Sequence, residues 1–158
     1  MGAGKTTVGR HLAELLGRQF LDSDHEIERK TGATIPWIFE KEGEQGFRGR
    51  ETAVIDELTL KNHLVVATGG GVVKSEVNRK LLLENKDNNV LLTASFEVAY
   101  QRISMDDQSL RPLFLQHSKD EFKAIYQERM SLYQGLATTV IDTDHVRPEQ
   151  VARKILCK

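Results

Sequence analysis

The chain has 158 residues, 39% hydrophobic and 28% charged, with a formal net charge of −1. That length suits one buried core, and the near-zero charge supplies no bulk positive field to gather nucleic acid or an anionic membrane. Cys157 is the sole cysteine, so no internal disulfide is possible and a reducing cytoplasm suits the chain, while no apolar run approaches the length of a membrane span.

The first stretch, Met1-Gly2-Ala3-Gly4-Lys5-Thr6-Thr7, ends in Gly-Lys-Thr, the close of the phosphate-binding pattern G-x-x-x-x-G-K-[ST]. In such a loop, backbone N–H groups wrap the phosphates of a nucleotide. The lysine reaches the β- and γ-phosphates, and the threonine hydroxyl ligates Mg²⁺. Gly2, Ala3, Gly4, Lys5, Thr6 and Thr7 are therefore candidate nucleotide ligands. The first glycine of the pattern and the strand that normally feeds it fall ahead of Met1. Met1 is accordingly expected to be an internal methionine of a longer natural protein.

Val8, Leu12, Leu15 and Leu16 recur at helical spacing up to Gly17. This helix would set its N-terminus under the phosphates, where its dipole favours anions. Gln19-Phe20-Leu21 reads as a short strand ending in Asp22-Ser23-Asp24. Ligands of parallel α/β sheets sit at the carboxyl ends of strands, so the two acids suit a metal or a substrate hydroxyl. A helix cap at Asp24 is the plainer alternative. Helices are predicted over His25 to Thr31 and Ile35 to Glu42, the latter capped by Thr34, and from about Gln45 to Leu60. Arg48 and Glu51 lie three residues apart near the start of the last. Trp37 and Phe39 are expected in the core or a pocket wall, and Phe47 in either.

Leu64-Val65-Val66-Ala67 is continuously apolar, as a strand buried on both faces should be. It ends in Thr68-Gly69-Gly70-Gly71, where absent side chains allow close backbone approach. A helix from Ser75, a strand over Asn89 to Thr93 and a helix over Ser95 to Ile103 follow. Ser104 to Ser109 is polar and precedes Arg111-Pro112-Leu113. Ser118-x-x-Glu121 is a capping-box signature for a helix to about Tyr133 that carries Arg129. Thr139 to Asp142 is the last strand, and Pro148 suits the first position of a closing helix. The alternation predicts an α/β fold, a parallel sheet covered by helices on both faces. The five histidines have no metal-ligand spacing.

Taken together, these features resemble the bacterial shikimate kinases over essentially the whole chain. They are Gly-Lys-Thr, Asp22-Ser23-Asp24, Glu-Gly-Glu-x-x-Phe-Arg at Glu42 to Arg48, Thr-Gly-Gly-Gly, Arg-Pro-Leu, and Glu-Arg followed by Leu-Tyr. The resemblance implies transfer of the γ-phosphoryl group of MgATP to the 3-hydroxyl of shikimate in the chorismate pathway. It also implies a single three-layer P-loop kinase domain over 1–158, with sheet order 2-3-1-4-5 and the first strand ahead of this chain. A substrate-binding subregion at about 25–60 and a lid at about 104–117 belong to the same expectation, as do ATP and shikimate as partners, a monomer and a cytoplasmic location.

Matched position by position, Lys5 neutralises the β- and γ-phosphates. Thr6 and, through water, Asp22 hold Mg²⁺. Asp24 binds and orients the attacking hydroxyl. Arg48 and Arg129 clamp the substrate carboxylate, a task that suits guanidinium forks and favours shikimate over a polyol acid such as gluconate. Gly69, Gly70 and Gly71 touch the substrate near the γ-phosphate. Arg111 is the lid arginine, and Arg102 with Pro148 sandwiches adenine. Two departures stand out. Met130-Ser131 precedes Leu132-Tyr133 where relatives often have proline, and Asp106 and Asp107 make the lid acidic where relatives are often basic.

Overall fold

Four short strands and eight α-helices alternate along the described residues of a computed structural model, which are 1–106 and 112–158, without the side chains of 112 and 113. In chain order they are α1 (Lys5–Leu16), β1 (Gln19–Asp22), α2 (Ser23–Thr31), α3 (Ile35–Thr59), β2 (Leu64–Ala67), α4 (Glu76–Glu84), β3 (Val90–Thr93), α5 (Phe96–Ser104), α6 (Pro112–Gln116), α7 (Lys119–Tyr133), β4 (Thr139–Asp142) and α8 (Pro148–Leu156). A 3₁₀ turn, Val72–Lys74, follows the triple glycine.

Local signals set most boundaries. Gly17 adopts φ 64°, so α1 stops where a left-handed residue is cheapest. Thr34, Ser75 and Ser118 each accept a bond from a backbone N–H in the first turn of α3, α4 and α7. Pro148 opens α8, where its missing N–H costs nothing. The two helices predicted either side of Gly43 run on as α3, broken by the non-helical geometry of Gly43 at φ 72° and ψ −179°. One boundary differs from expectation. The cap of α2 is Asp22, whose carboxylate accepts from the N–H groups of Asp24 and His25, so the helix starts at Ser23. That leaves Asp24 in the first turn with its side chain released for other work.

The strands form two parallel pairs. Gln19 to Asp22 align with Leu64 to Ala67, and Val90 to Thr93 with Thr139 to Asp142. Alternate residues of β2 face opposite ways, as the pleat requires. Val65 joins Val8, Leu12, Ile141 and Val151 under α1 and α8. Leu64 and Val66 join Ile27, Ile38, Phe47, Val54 and Leu58 under α2 and α3. Helices thus cover both faces, as the alternation predicted.

Between the pairs lies a cavity of about 560 Å³ bounded by β2, β3, α1 and α8, with Val72, Val73, Leu82, Tyr133 and Leu136 opposite. Among the described residues β2 pairs only with β1, and β3 only with β4. The backbone edges facing the cavity therefore have no strand partner. The pairs occupy the places of strands 2-3 and 4-5 in the expected order, and the cavity lies at the central position 1. Lys5, Gly69 and Gly70 stand at its lining, so this gap adjoins the phosphate loop. No helix of the described residues is long and apolar enough to cross a membrane.

Candidate active site

The phosphate loop turns on two left-handed glycines, Gly2 at φ 65° and Gly4 at φ 85°. A β-carbon on Gly2 would lie 2.7 Å from the carbonyl oxygen of Ala99, so only glycine lets the loop rest on α5. Buried Ala3 packs with Ala94, Ala99 and Tyr126. Gly4 is the N-cap of α1 and offers no side-chain oxygen to the first helical N–H groups. Lys5, Thr6 and Thr7 therefore present their N–H groups at the positive end of a twelve-residue helix.

Thr6 and Asp22 meet at the end of β1. The Thr6 hydroxyl donates to Asp22 Oδ2 at 3.3 Å, while Asp22 Oδ1 caps α2. A hydroxyl and a carboxylate side by side are hard oxygen donors, the chemistry Mg²⁺ takes when substrate phosphates and water supply its other ligands. The residues present therefore fit that ion. Among the described residues no cluster of three His, Cys, Asp or Glu side chains forms a protein-only metal cage.

Asp24 lies at the centre of the site. Its Oδ1 is buried with no hydrogen-bond partner. Burial, reinforced by the negative charges of Asp22 and Glu51, pushes its carboxyl from 3.8 up to about 6, against the pull of Lys5 and Arg48. A carboxylate in that range is ionised at neutral pH yet retains appreciable affinity for a proton.

The triple glycine threads between the charged side chains. A β-carbon on Gly69 would stand 2.7 Å from Asp24 Oδ1, and one on Gly71 2.6 Å from Arg48 Nη2. One on Gly70 would lie 3.6 Å from both Arg129 Nη1 and the Tyr133 hydroxyl. None of the three has positive φ among the backbone exceptions, so close approach, not left-handed geometry, is what favours glycine at 69 and 71, whereas the 3.6 Å distances at Gly70 are ordinary contacts. The loop is held from below by Ser23, whose hydroxyl accepts from the Gly69 N–H at 3.1 Å, and from beside by Tyr133, whose hydroxyl donates to the Gly70 carbonyl.

Arg48 Nη1 donates to Glu51 Oε1 at 2.9 Å, and its guanidinium lies over the Phe47 ring. Its Nε makes no hydrogen bond, although Glu44 lies within ion-pairing range at 3.5 Å. Glu51 is 1% exposed and Arg48 half-buried, so the carboxylate side of the pair is fixed in the interior. Arg129 is buried too. Burial holds its guanidinium below its ordinary pKa, and the like charge of Arg48 acts in the same direction. Among the described residues no carboxylate pairs with Arg129. Glu44 and Glu51 both flank Arg48, whereas Arg129 has no carboxylate in direct contact among the described residues, so its guanidinium is the one left to take an anion.

Arg102 holds a different place. Nη1 donates to the Gly2 carbonyl and the Thr143 hydroxyl, and Nη2 to the Thr143 carbonyl. The guanidinium edge thus ties the phosphate loop to the turn before α8, where Pro148 is the first helical residue. Arg111 lies outside the described residues. Of the expected lid, residues 104–106 and 112–117 are described, without the side chains of 112 and 113. Trp37 and Phe39 remain largely open to solvent, Phe39 against the Phe47 ring at 4.7 Å, so Phe47 alone of the three is core.

The assembled set is a phosphate loop, a hydroxyl–carboxylate pair, an acid with a raised pKa, and a buried and a half-buried arginine on a glycine turn. A family sequence model described as "Shikimate kinase" matches residues 1–158. The chain belongs to the shikimate kinase family. Among its relatives, the shikimate kinase of Streptococcus suis is 62% identical over 159 residues, spanning 100% of this chain and 95% of that protein. That of Acinetobacter baylyi is 52% identical over 157 residues, spanning 99% of this chain and 86% of that protein. The solved structure of the shikimate kinase from Acinetobacter baumannii in complex with shikimate superposes with a TM-score of 0.89 at 53% identity, covering 99% of this chain and 86% of that one. The shikimate kinase from Aquifex aeolicus does so at 0.80 and 32% identity, covering 99% and 89%. The P-loop kinase fold implied by the motifs is therefore the fold of this chain.

Several residues that serve the site gave little sequence signal. Ser23, Asn78 and Thr143 are buried polar residues in stretches that read as ordinary helix or turn. Ser23 was visible only as the middle of Asp22-Ser23-Asp24. Tyr133 was visible only through the Leu-Tyr pattern.

Proposed function

We propose that this chain transfers the γ-phosphoryl group of MgATP to the 3-hydroxyl of shikimate, acting as a monomeric single domain in the cytoplasm. The observation that carries the reading is the meeting of Asp24, Arg48 and Arg129 on the Gly69–Gly71 turn, with Lys5 close enough to Asp24 to influence its titration. This meeting supports reading the group as a hydroxyl ligand, a carboxylate clamp and a phosphate ligand around one small volume.

The backbone of Gly2 to Thr7 and the N-terminus of α1 bind the phosphates, and Lys5 neutralises charge on the β- and γ-groups. Thr6 and, through water, Asp22 would hold Mg²⁺, which would supply further neutralisation of the phosphates. Arg48 and Arg129 bind the shikimate carboxylate, and the buried Arg48 Nε, lacking a hydrogen bond, is one donor available to it. The backbone of Gly69 to Gly71 lines the sugar-like ring. Asp24 accepts the hydrogen bond of the attacking hydroxyl with its unpartnered buried oxygen.

As the hydroxyl oxygen forms its bond to the γ-phosphorus, the bond to the β–γ bridging oxygen breaks. ADP leaves and the hydroxyl proton passes to Asp24. The loose transition state asks mainly for positioning and charge stabilisation. A carboxylate titrating near 6 can take the proton without paying for a strong base. The edge of Arg102 anchors the loop, and its plane with Pro148 brackets adenine. Arg111 closes from the lid at about 104–117 over the subregion at about 25–60, excluding water.

A coupled ADP-release assay tests the reading. Shikimate should support MgATP-dependent turnover and gluconate should not. Turnover with gluconate and none with shikimate would refute it.

A further inference from the structure

Asn78 is completely buried beneath the site, on α4, and nothing in the phosphoryl transfer uses it directly. A buried amide is unfavourable unless each polar atom is paired, and here the pairing is full. Nδ2 donates to Glu51 Oε1 at 3.1 Å and to the Val72 carbonyl at 3.1 Å, and Oδ1 accepts from the Thr52 hydroxyl at 2.7 Å. The orientation of the amide is determined by these partners. A carbonyl and the carboxylate that bonds Arg48 need a donor, so the NH₂ must face them and the oxygen must face Thr52.

Glu51 Oε1 is also the atom that accepts from Arg48 Nη1. Val72 follows Gly71, whose α-carbon stands against the Arg48 guanidinium. The amide thus bonds two of the surfaces that confine Arg48, the Glu51 carboxylate and the turn at Val72 that follows Gly71, the others being Glu44 and the Phe47 ring. We propose that Asn78 is a positioning residue for the substrate-carboxylate clamp, fixing Glu51, and through it Arg48, against the Gly71–Val72 turn. This rests on the reading of Arg48 as a ligand of the shikimate carboxylate.

A well-held buried carboxylate keeps the Arg48 fork at one angle before substrate arrives. Removing the amide leaves a buried oxygen short of a donor and lets the guanidinium turn. The loss falls on binding of the acid substrate and not on ATP, whose ligands lie on α1 and the phosphate loop.

The test is steady-state kinetics with MgATP and shikimate on Asn78→Ala, Asn78→Asp, Thr52→Val and Arg48→Ala. Asn78→Ala should raise KM for shikimate roughly tenfold, the scale expected for losing a buried hydrogen bond to a charged group. KM for ATP and kcat should stay within about twofold. Asn78→Asp, which puts a second carboxylate beside Glu51, should raise shikimate KM further. Thr52→Val keeps its shape but releases the amide oxygen, and should raise shikimate KM severalfold. It also reads the proposal if Asn78→Ala fails to fold. Raised shikimate KM in Arg48→Ala with unchanged values in folded Asn78 and Thr52 variants would overturn the proposal alone. So would equal losses toward both substrates, since the amide would then only hold the core. An unchanged shikimate KM in Arg48→Ala would overturn the clamp reading beneath it.

Discussion

Replacing Asp24 with asparagine should make the enzyme inactive and more stable at once. Asp24 titrates near 6 in the folded chain against 3.8 as an ordinary carboxyl. Between those values the native state holds a proton that the unfolded state has released, so stability falls as pH rises. Above about pH 6 the full cost applies. At about 1.36 kcal/mol for each tenfold change in proton affinity, the difference amounts to roughly 3 kcal/mol. Asparagine is neutral throughout and close to the protonated acid in shape. Asp24→Asn should therefore gain up to about 3 kcal/mol at pH 7.5 and almost nothing at pH 4, or about 6–12 °C in Tm at the higher pH. Paired thermal melts of both proteins across pH 4 to 7.5 measure this, and the difference between them removes every other titrating group. Turnover of Asp24→Asn should be lost, with ATP binding retained. In the parent enzyme kcat should rise with pH through about 6. A stability difference that is flat with pH, or a variant less stable at pH 7.5, would refute the account of Asp24 as a carboxylate held at a cost.

Gly71→Ala forces its β-carbon to 2.6 Å from Arg48 Nη2, so the guanidinium must retreat by about 0.8 Å to reach ordinary contact. Shikimate KM should rise about tenfold or more, whereas Gly49→Ala in α3, with nothing within 4 Å, should leave kinetics unchanged and raise Tm slightly. Arg102→Lys cannot bracket Thr143 and Gly2 together, so KM for ATP should rise severalfold with little change for shikimate.

Much of the fold was legible because its signals are local. Gly17, Thr34, Ser75, Ser118 and Pro148 act on backbone groups within a turn of themselves, and each marks the boundary expected of it. The apolar run at Leu64 to Ala67 packs against helices on both faces, as its composition required, but only Ala67 is fully buried because the strand also lines the cavity. The acids at the end of β1 were legible as a pair but not as individuals. Either could cap α2, and packing gives the cap to Asp22. Of the core and pocket-wall readings of Trp37 and Phe39, exposure removes the core one, because aromatic character says nothing about which face of a helix meets the core.

By itself the sequence determined the elements, the order of the chemical groups and the family to which they belong. Those depend on short spacings such as Gly4-Lys5-Thr6 and Gly69-Gly70-Gly71, where neighbours along the chain remain neighbours in space. Only the tertiary structure decided which glycine meets which charge, that Asn78 and Thr52 lie beneath Arg48, and that Arg102 grips the phosphate loop. The partners in those contacts stand 26 residues apart for Thr52 and Asn78, 63 for Tyr133 and Gly70, and 100 for Arg102 and Gly2. The raised pKa of Asp24 has the same origin. It comes first from burial and then from the negative charges of Asp22 on β1 and Glu51 on α3, with Lys5 of α1 and Arg48 of α3 pulling the other way, so most of it exists only once the chain has closed around the carboxylate.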